Sequence, residues 1–142
     1  MRKRSFGLLA FASVAGAATL SLSPPGWAHH SFASEFDVAK PVAVQGAVTK
    51  ARFVNPHSWL YLDVQNADGT KTNWGFEFGS PSLLKAKSVS KDDVVIGSTV
   101  RIEGFRAKNG GPFGYAQIVE LSSGREVAIG SAPDAPSLRG RR

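Results

Sequence analysis

Apolar and polar residues alternate with period two along most of this chain, a rhythm that predicts strands. The first covers residues 41–54, with Val42, Val44, Gly46 and Val48 on one face. Gly46 inside this run predicts a bulge or strong coiling. Asn55-Pro56 ends it, because proline lacks an amide donor and restrains the residue before it. The second strand covers residues 58–65, with Leu60, Leu62 and Val64 on one face and Trp59, Tyr61 and Asp63 on the other. Residues 66–69 read Asn-Ala-Asp-Gly, a turn, and residues 70–78 form a third strand with Trp74, Phe76 and Phe78 on its core side. The second and third strands should form a hairpin.

The rhythm then changes. Ser80 is suited to cap a helix and Pro81 to its first position, and Leu83, Leu84 and Ala86 give that short helix an apolar side. Residues 90–97 connect it to a fourth strand, residues 99–107, with Val100 and Ile102 inward. A Gly-rich loop over 108–114 leads to a fifth strand at 115–121, and a turn at 122–124 to a short sixth at 125–129. Residues 29–40 form a lead-in without clear period. The Pro/Ser/Arg-rich stretch 131–142 reads as a disordered basic tail.

Three strands, a short helix and two more strands are the order of an OB-fold, a small Greek-key barrel. The fold class expected is therefore all-β, an OB-like barrel of five to six strands over residues 29–130. A small β-sandwich is the alternative.

Charge changes the picture only once it is located. The 142 residues carry 17 Lys+Arg, 11 Asp+Glu and a net charge of +6. Six of the basic residues lie at the two ends: Arg2, Lys3 and Arg4, and Arg139, Arg141 and Arg142. Between His29 and Gly130, eleven basic residues face ten acidic ones, so the body of the chain is near neutral. A nucleic-acid partner is not expected, since such binding needs a basic face on the domain. With no cysteine, a disulfide framework, a zinc-thiolate site and a thiol nucleophile are excluded.

The basic start belongs to a targeting signal. Residues 1–28 combine the charged MRKR, an apolar Ala/Gly-rich stretch over 6–22, the helix breaker Ser23-Pro24-Pro25, and small residues at 26 and 28. That is the pattern of an export signal cleaved after Ala28. The mature protein would be periplasmic or secreted, with no membrane span after cleavage. An uncleaved anchor is the competing reading. Lys3-Arg4-Ser5-Phe6 resembles a degenerate twin-arginine motif, but the general secretory route fits better.

Several segments together resemble a known family. AHHSFASEFD at 28–37, NPHSWLYLDV at 55–64, WGFEFGSP at 74–81 and GFRAKNG at 104–110 look like a family of small secreted bacterial proteins classed as a domain of unknown function. Members tend to carry Gly-Trp after the short helix, where this chain has Lys87-Ser88-Val89. The resemblance implies export and one small β-domain and brings no assigned activity.

Candidate chemistry rests on the three histidines. Cleavage after Ala28 would make His29 the first residue. Its free amine and imidazole could then chelate one metal ion, with a second imidazole completing a histidine brace. His57 is the natural second imidazole, fixed by the Asn-Pro turn; His30 is the alternative. Three nitrogen donors suit Cu(II). The α-amine, with a reference pKa of about 7.7–8.0, must lose its proton to bind, so binding should weaken below neutral pH. Glu35, Asp37 or Glu77 are candidates to orient an imidazole. The plain alternatives are an exposed polar start and a histidine that caps a loop.

Trp59 and Tyr61 are candidate ligand-binding residues. Outside the barrel they would form a stacking platform for a sugar, base or other flat ligand. Alternatively the lead-in covers them, with Phe32 and Phe36 packed on their rings and His29 and His30 brought towards His57. We favour this covered arrangement.

Catalytic signatures are absent. There is no Gly-x-Ser-x-Gly elbow, and the loop at 109–114 lacks the Gly-Lys-Ser/Thr ending of a phosphate loop. Asp92-Asp93 reads as a solvated connector. An enzyme is not expected, although copper-dependent redox chemistry stays open. The expected partner is a metal ion, with copper preferred. Otherwise the chain is a metal-free module binding a small molecule, a glycan or an envelope protein.

Overall fold

The computed structural model describes residues 31–138. In chain order the elements are α1 (Phe32–Glu35), β1 (Phe36–Arg52), β2 (Ser58–Gln65), β3 (Lys71–Phe78), α2 (Pro81–Ala86), β4 (Thr99–Ala107), β5 (Phe113–Glu120) and β6 (Glu126–Ala128). A 3₁₀ turn, Lys91–Asp93, lies between α2 and β4.

The sheet closes on itself. β1 pairs antiparallel with β2 and β4, β2 with β3, and β4 with β5. The ring is completed by a short parallel pairing of β3 with β5, in which Gly75, Phe76 and Glu77 face Phe113, Gly114 and Tyr115. β6 pairs with the remaining part of β5, and the Gly79 amide donates to the Ile129 carbonyl at 2.9 Å, which ties the end of β3 to the end of β6. The expected β-rich barrel is what forms, with β6 as an appendix.

Its long first strand serves both halves of the ring. Residues 41–47 pair with β4 and residues 47–52 with β2. The expected irregularity falls at Thr49, where the register with β2 shifts between Val48 and Lys50, and not at Gly46. Gly46 has another reason to be glycine: a Cβ there would lie 2.5 Å from the Asp63 carbonyl oxygen. Strand crossing is that close because the coiled strand turns across its neighbour at this point.

Alternation fills the barrel as expected. Val48, Leu60, Leu62, Phe76, Phe78, Val100 and Ile102 are buried in one cluster. Leu84 of α2 joins it, and the Ser80 hydroxyl caps that helix by accepting from the Leu83 amide at 3.3 Å. Trp74 is only half-buried; it stacks on Phe76 at 5.6 Å and carries the Arg106 guanidinium over its other side at 5.4 Å. Asp93 is structural. It accepts from the Ser90 amide at 2.8 Å and from Arg125 at 2.7 Å, closing a capping box.

Two expectations about the chain ends need correction. Phe32 and Phe36 do not lie on the Trp59 and Tyr61 rings. They form a second cluster with Phe105, Tyr115, Ile118 and Leu138 on the outside of β4 and β5. The reason is that Phe105 and Tyr115 are large rings that would otherwise face water, and the Phe32 ring meets both edge-on at 5.4 and 5.2 Å. Residues 131–138, where disorder is expected, are packed. The Ala132 amide donates to the Tyr115 hydroxyl at 2.7 Å, and the Gln117 side chain bonds Pro136 O at 2.8 Å and Leu138 N at 2.7 Å. Composition favours disorder here, but a buried Leu138 and satisfied backbone groups override it. Residues 1–30, where an export signal is expected, and the last four residues lie outside the described residues.

Candidate functional site

His57 stands in the loop that joins β1 to β2. Asn55-Pro56, a cis peptide, precedes it. Ser58 follows it and is anchored by its amide, which donates to the Gly79 carbonyl at 3.2 Å. The imidazole is thus held between a rigid dipeptide and the first residue of a strand. Its Nδ1 contacts Oε1 of Glu77. Glu77 is on the outward face of β3, directly opposite Trp59 on β2. Its side chain is 13% exposed, against 36% for His57. A largely shielded carboxylate therefore engages one ring nitrogen of a histidine that remains accessible. Of the three candidate carboxylates, Glu77 is the one that touches His57.

Beside this pair lies a cavity of about 270 Å³, lined among others by Ser31, Phe32, Glu35, His57, Glu77 and Ser131. Both ends of the described chain thus reach His57. Tyr115 also borders the cavity. Burial pushes its phenol up, the nearby Glu77 charge adds to this, and the hydrogen bond from Ala132 acts the other way. Asp37 is not part of the site: its carboxylate accepts from the Ala39 amide at 2.9 Å and sits 3.4 Å from Lys40. The Ala39 bond, ahead of Lys40, holds its carboxyl below the usual range.

Among the described residues, no three His, Asp or Glu side chains gather in a metal-binding group. His29 and His30 lie outside the described residues. Within residues 31–138, His57 is the one histidine.

Trp59 and Tyr61 sit on the outward face, as their alternation requires. Both are half-buried, and their rings are nearly parallel at 22° with centroids 6.4 Å apart. The Lys50 ammonium stands 5.5 Å from the Tyr61 centroid. Opposite Tyr61 is Gly75, where a Cβ would lie 2.8 Å from the Phe113 ring and 3.1 Å from Tyr61. Glycine at this position lets Phe113 close over β3 beside Tyr61. Phe113, 41% exposed, is an aromatic that alternation did not single out. In the sequence it falls within the Gly-rich loop over 108–114, where period-two reasoning has nothing to grip. A second cavity of about 480 Å³ follows, lined by Phe36, Trp59, Glu77, Lys108, Asn109 and Phe113 among others. Glu77 borders both cavities.

A model described as a family of unknown function, DUF6152, matches residues 17–116. The chain belongs to that family. The resemblance read from the His-His-Ser-Phe, Asn-Pro-His-Ser and Trp-Gly-Phe-Glu-Phe segments is consistent with this membership. The DUF6152 match contains His29, His30, His57, Trp59, Tyr61 and Glu77, and it ends inside β5. The segment 131–138 that borders the His57 cavity lies beyond it. No curated protein matches the chain.

Proposed function

We propose that this DUF6152 protein is exported, cleaved after Ala28, and binds copper(II) as a buffer or carrier in the periplasm or outside the cell. The donors are the α-amine and imidazole of His29 and the imidazole of His57, with His30 as the alternative second ring. The observation that carries this reading is the contact between His57 Nδ1 and Glu77 at a cavity that Ser31 also lines. Metal-binding histidines almost always give their other ring nitrogen to a carboxylate or carbonyl, which fixes the ring and leaves one nitrogen for the ion. Ser31, the residue that follows His30 in the sequence, lines the same cavity as His57.

The first test is the mass and N-terminal residue of the chain recovered from the exporting cell, with its metal content. A start at His29 with one copper per chain supports the reading. A start elsewhere, with no metal, removes it. His57→Ala should then abolish tight copper binding, and one extra residue ahead of His29 should do the same by blocking the amine.

A second reading is favoured by the contiguous Trp59, Tyr61 and Phe113 rings. On it the protein is a metal-free module that holds a small molecule, a glycan or an envelope protein on this face. Trp59→Ala would then remove binding that His57→Ala leaves intact.

A further inference from the structure

Strand β1 changes the face it presents part-way along. Before Thr49, Val42, Val44 and Val48 lie on the core side, with Val48 opposite Leu62. An unbroken strand would send Lys50 and Arg52 into the barrel as well, because alternate side chains share a face. The bulge at Thr49 prevents this. After it, Ala51 and Phe53 pack against the core, while Lys50 lies directly opposite Tyr61 and Arg52 directly opposite Trp59. One inserted residue thus moves two cations onto the aromatic outer face. Bulges often re-aim side chains beside a functional site.

Two units result, each a ring with a cation across from it: Tyr61 with Lys50, and Trp59 with Arg52. They stand two residues apart on β2, about 7 Å along the strand. Lys50 and Arg52 are exposed, and among the described residues neither joins an ion pair. The carboxylates of this face are turned to other side chains, Glu77 to His57 and Asp63 to Asn73 at 2.8 Å. A third cation, Lys108, lines the cavity of about 480 Å³ together with Trp59. Its ammonium is held by the Ala33 carbonyl at 2.5 Å.

We propose that this face binds an acidic oligosaccharide, a chain of sugars that carry carboxylates. A sugar ring lies on each aromatic side chain, and its carboxylate meets the cation across from that ring. The proposal rests on the second reading above, in which the aromatic face is the binding site, and names the class of ligand. The C–H face of a sugar packs on the electron-rich face of an aromatic ring, and Arg52 can take a carboxylate through two parallel N–H donors. The repeat of ring and cation calls for an oligomer rather than a single sugar. Single-stranded nucleic acid also repeats ring and anion, but its affinity comes from neutralising many phosphates. Here two carboxylates share the face with the cations, and the Asp63–Asn73 pair suits sugar hydroxyls.

The test titrates four probes into the exported chain by calorimetry: tetramers of galacturonate and of mannuronate, the methyl ester of the first, and a single-stranded oligothymidylate. The Trp59 indole signal is followed by NMR. At least one acid tetramer should bind and shift that signal. The ester and the oligothymidylate should be weaker by about 10-fold or more, as expected when a hydrogen bond to a charged group is lost. Lys50→Gln with Arg52→Gln should bring the acid down to the level of the ester and leave the affinity of the ester and the melting temperature in place. Trp59→Ala should remove acid and ester alike. An ester as tight as the acid, with both lost in Trp59→Ala, keeps the aromatic-face reading and overturns the acidic ligand. An acid tetramer that binds without moving the Trp59 signal overturns both. Binding of neither acid, or tighter binding of the oligothymidylate, overturns the proposal.

Discussion

The backbone amide of Phe32 donates a hydrogen bond to the carboxylate of Asp134, 2.9 Å away across 102 residues of chain. It links the two ends of the described chain, both of which border the cavity beside His57. Asp134→Ala leaves that amide without its acceptor. Stability should fall by about 1 kcal/mol, the usual worth of such a bond, and hydrogen exchange at Phe32 should accelerate more than at core strands. Unchanged exchange at Phe32 would show that the segment is held by its rings alone.

Those rings carry the larger share. Phe32 is 3% exposed and meets Phe36, Phe105 and Tyr115. Phe32→Ala should cost about 3 kcal/mol, as expected for emptying a buried aromatic site. A denaturant titration measures this, and a loss well under 1 kcal/mol would mean that α1 adds little to the fold.

Glu77 is a positioning residue in the copper reading. Glu77→Gln keeps the shape and removes the charge beside His57. Copper affinity should fall about 10- to 100-fold, the range for disturbing an outer-shell partner, while the melting temperature moves little. Titration calorimetry on the chain with a free N-terminus distinguishes this from general loosening. Affinity unaltered by the substitution would detach Glu77 from the metal.

Ser58 is fully buried, and its hydroxyl has no hydrogen-bond partner among the described residues. Burying an unpaired hydroxyl is costly, so Ser58→Ala should be neutral or should stabilise the fold by about 1 kcal/mol. A clear loss in a thermal melt would reveal a role for the hydroxyl beside His57.

Asp93 ties acid stability to one carboxylate, bonded first to Ser90 and then to Arg125. The Ser90 amide, and after it the Arg125 guanidinium, hold its carboxyl below the usual range. A carboxyl lowered on folding contributes fully above its unfolded pKa of about 3.9 and loses that contribution as pH falls through the folded value. Asp93→Asn should therefore be less stable at neutral pH and show a shallower loss on acidification below about pH 4. Parallel acid limbs for the two proteins would exclude the Asp93 carboxylate as a contributor.

Much of the barrel could be read from local pattern. The bounds of β2 and β4 follow from alternation, broken in β4 only at Gly104 and Phe105, between a proline or glycine at one end and a turn at the other. The α2 cap follows from Ser80-Pro81, because capping needs only the hydroxyl and the next few amides. Which residues face inward on β2 and β3 was legible for the same reason: a strand places alternate side chains on opposite faces wherever it sits.

What could not be read are the relations between segments far apart in sequence. The parallel contact of β3 with β5 closes the ring, yet neither strand carries a sign of the other. Phe32 and Phe36 could have covered either outer face, and they went to Phe105 and Tyr115 because those two rings lie side by side once β4 and β5 pair. The meeting of His57 with Glu77 depends on the hairpin register to a single residue, since a slip by one would turn Glu77 to the inside. Residues 131–138 look unstructured by composition and are held by the Tyr115 hydroxyl, the Gln117 side-chain amide and the Phe32 backbone amide, groups from strands and a helix elsewhere in the chain. Alternation and caps are properties of neighbours along the chain; a site built from both ends exists only after the barrel has brought them together.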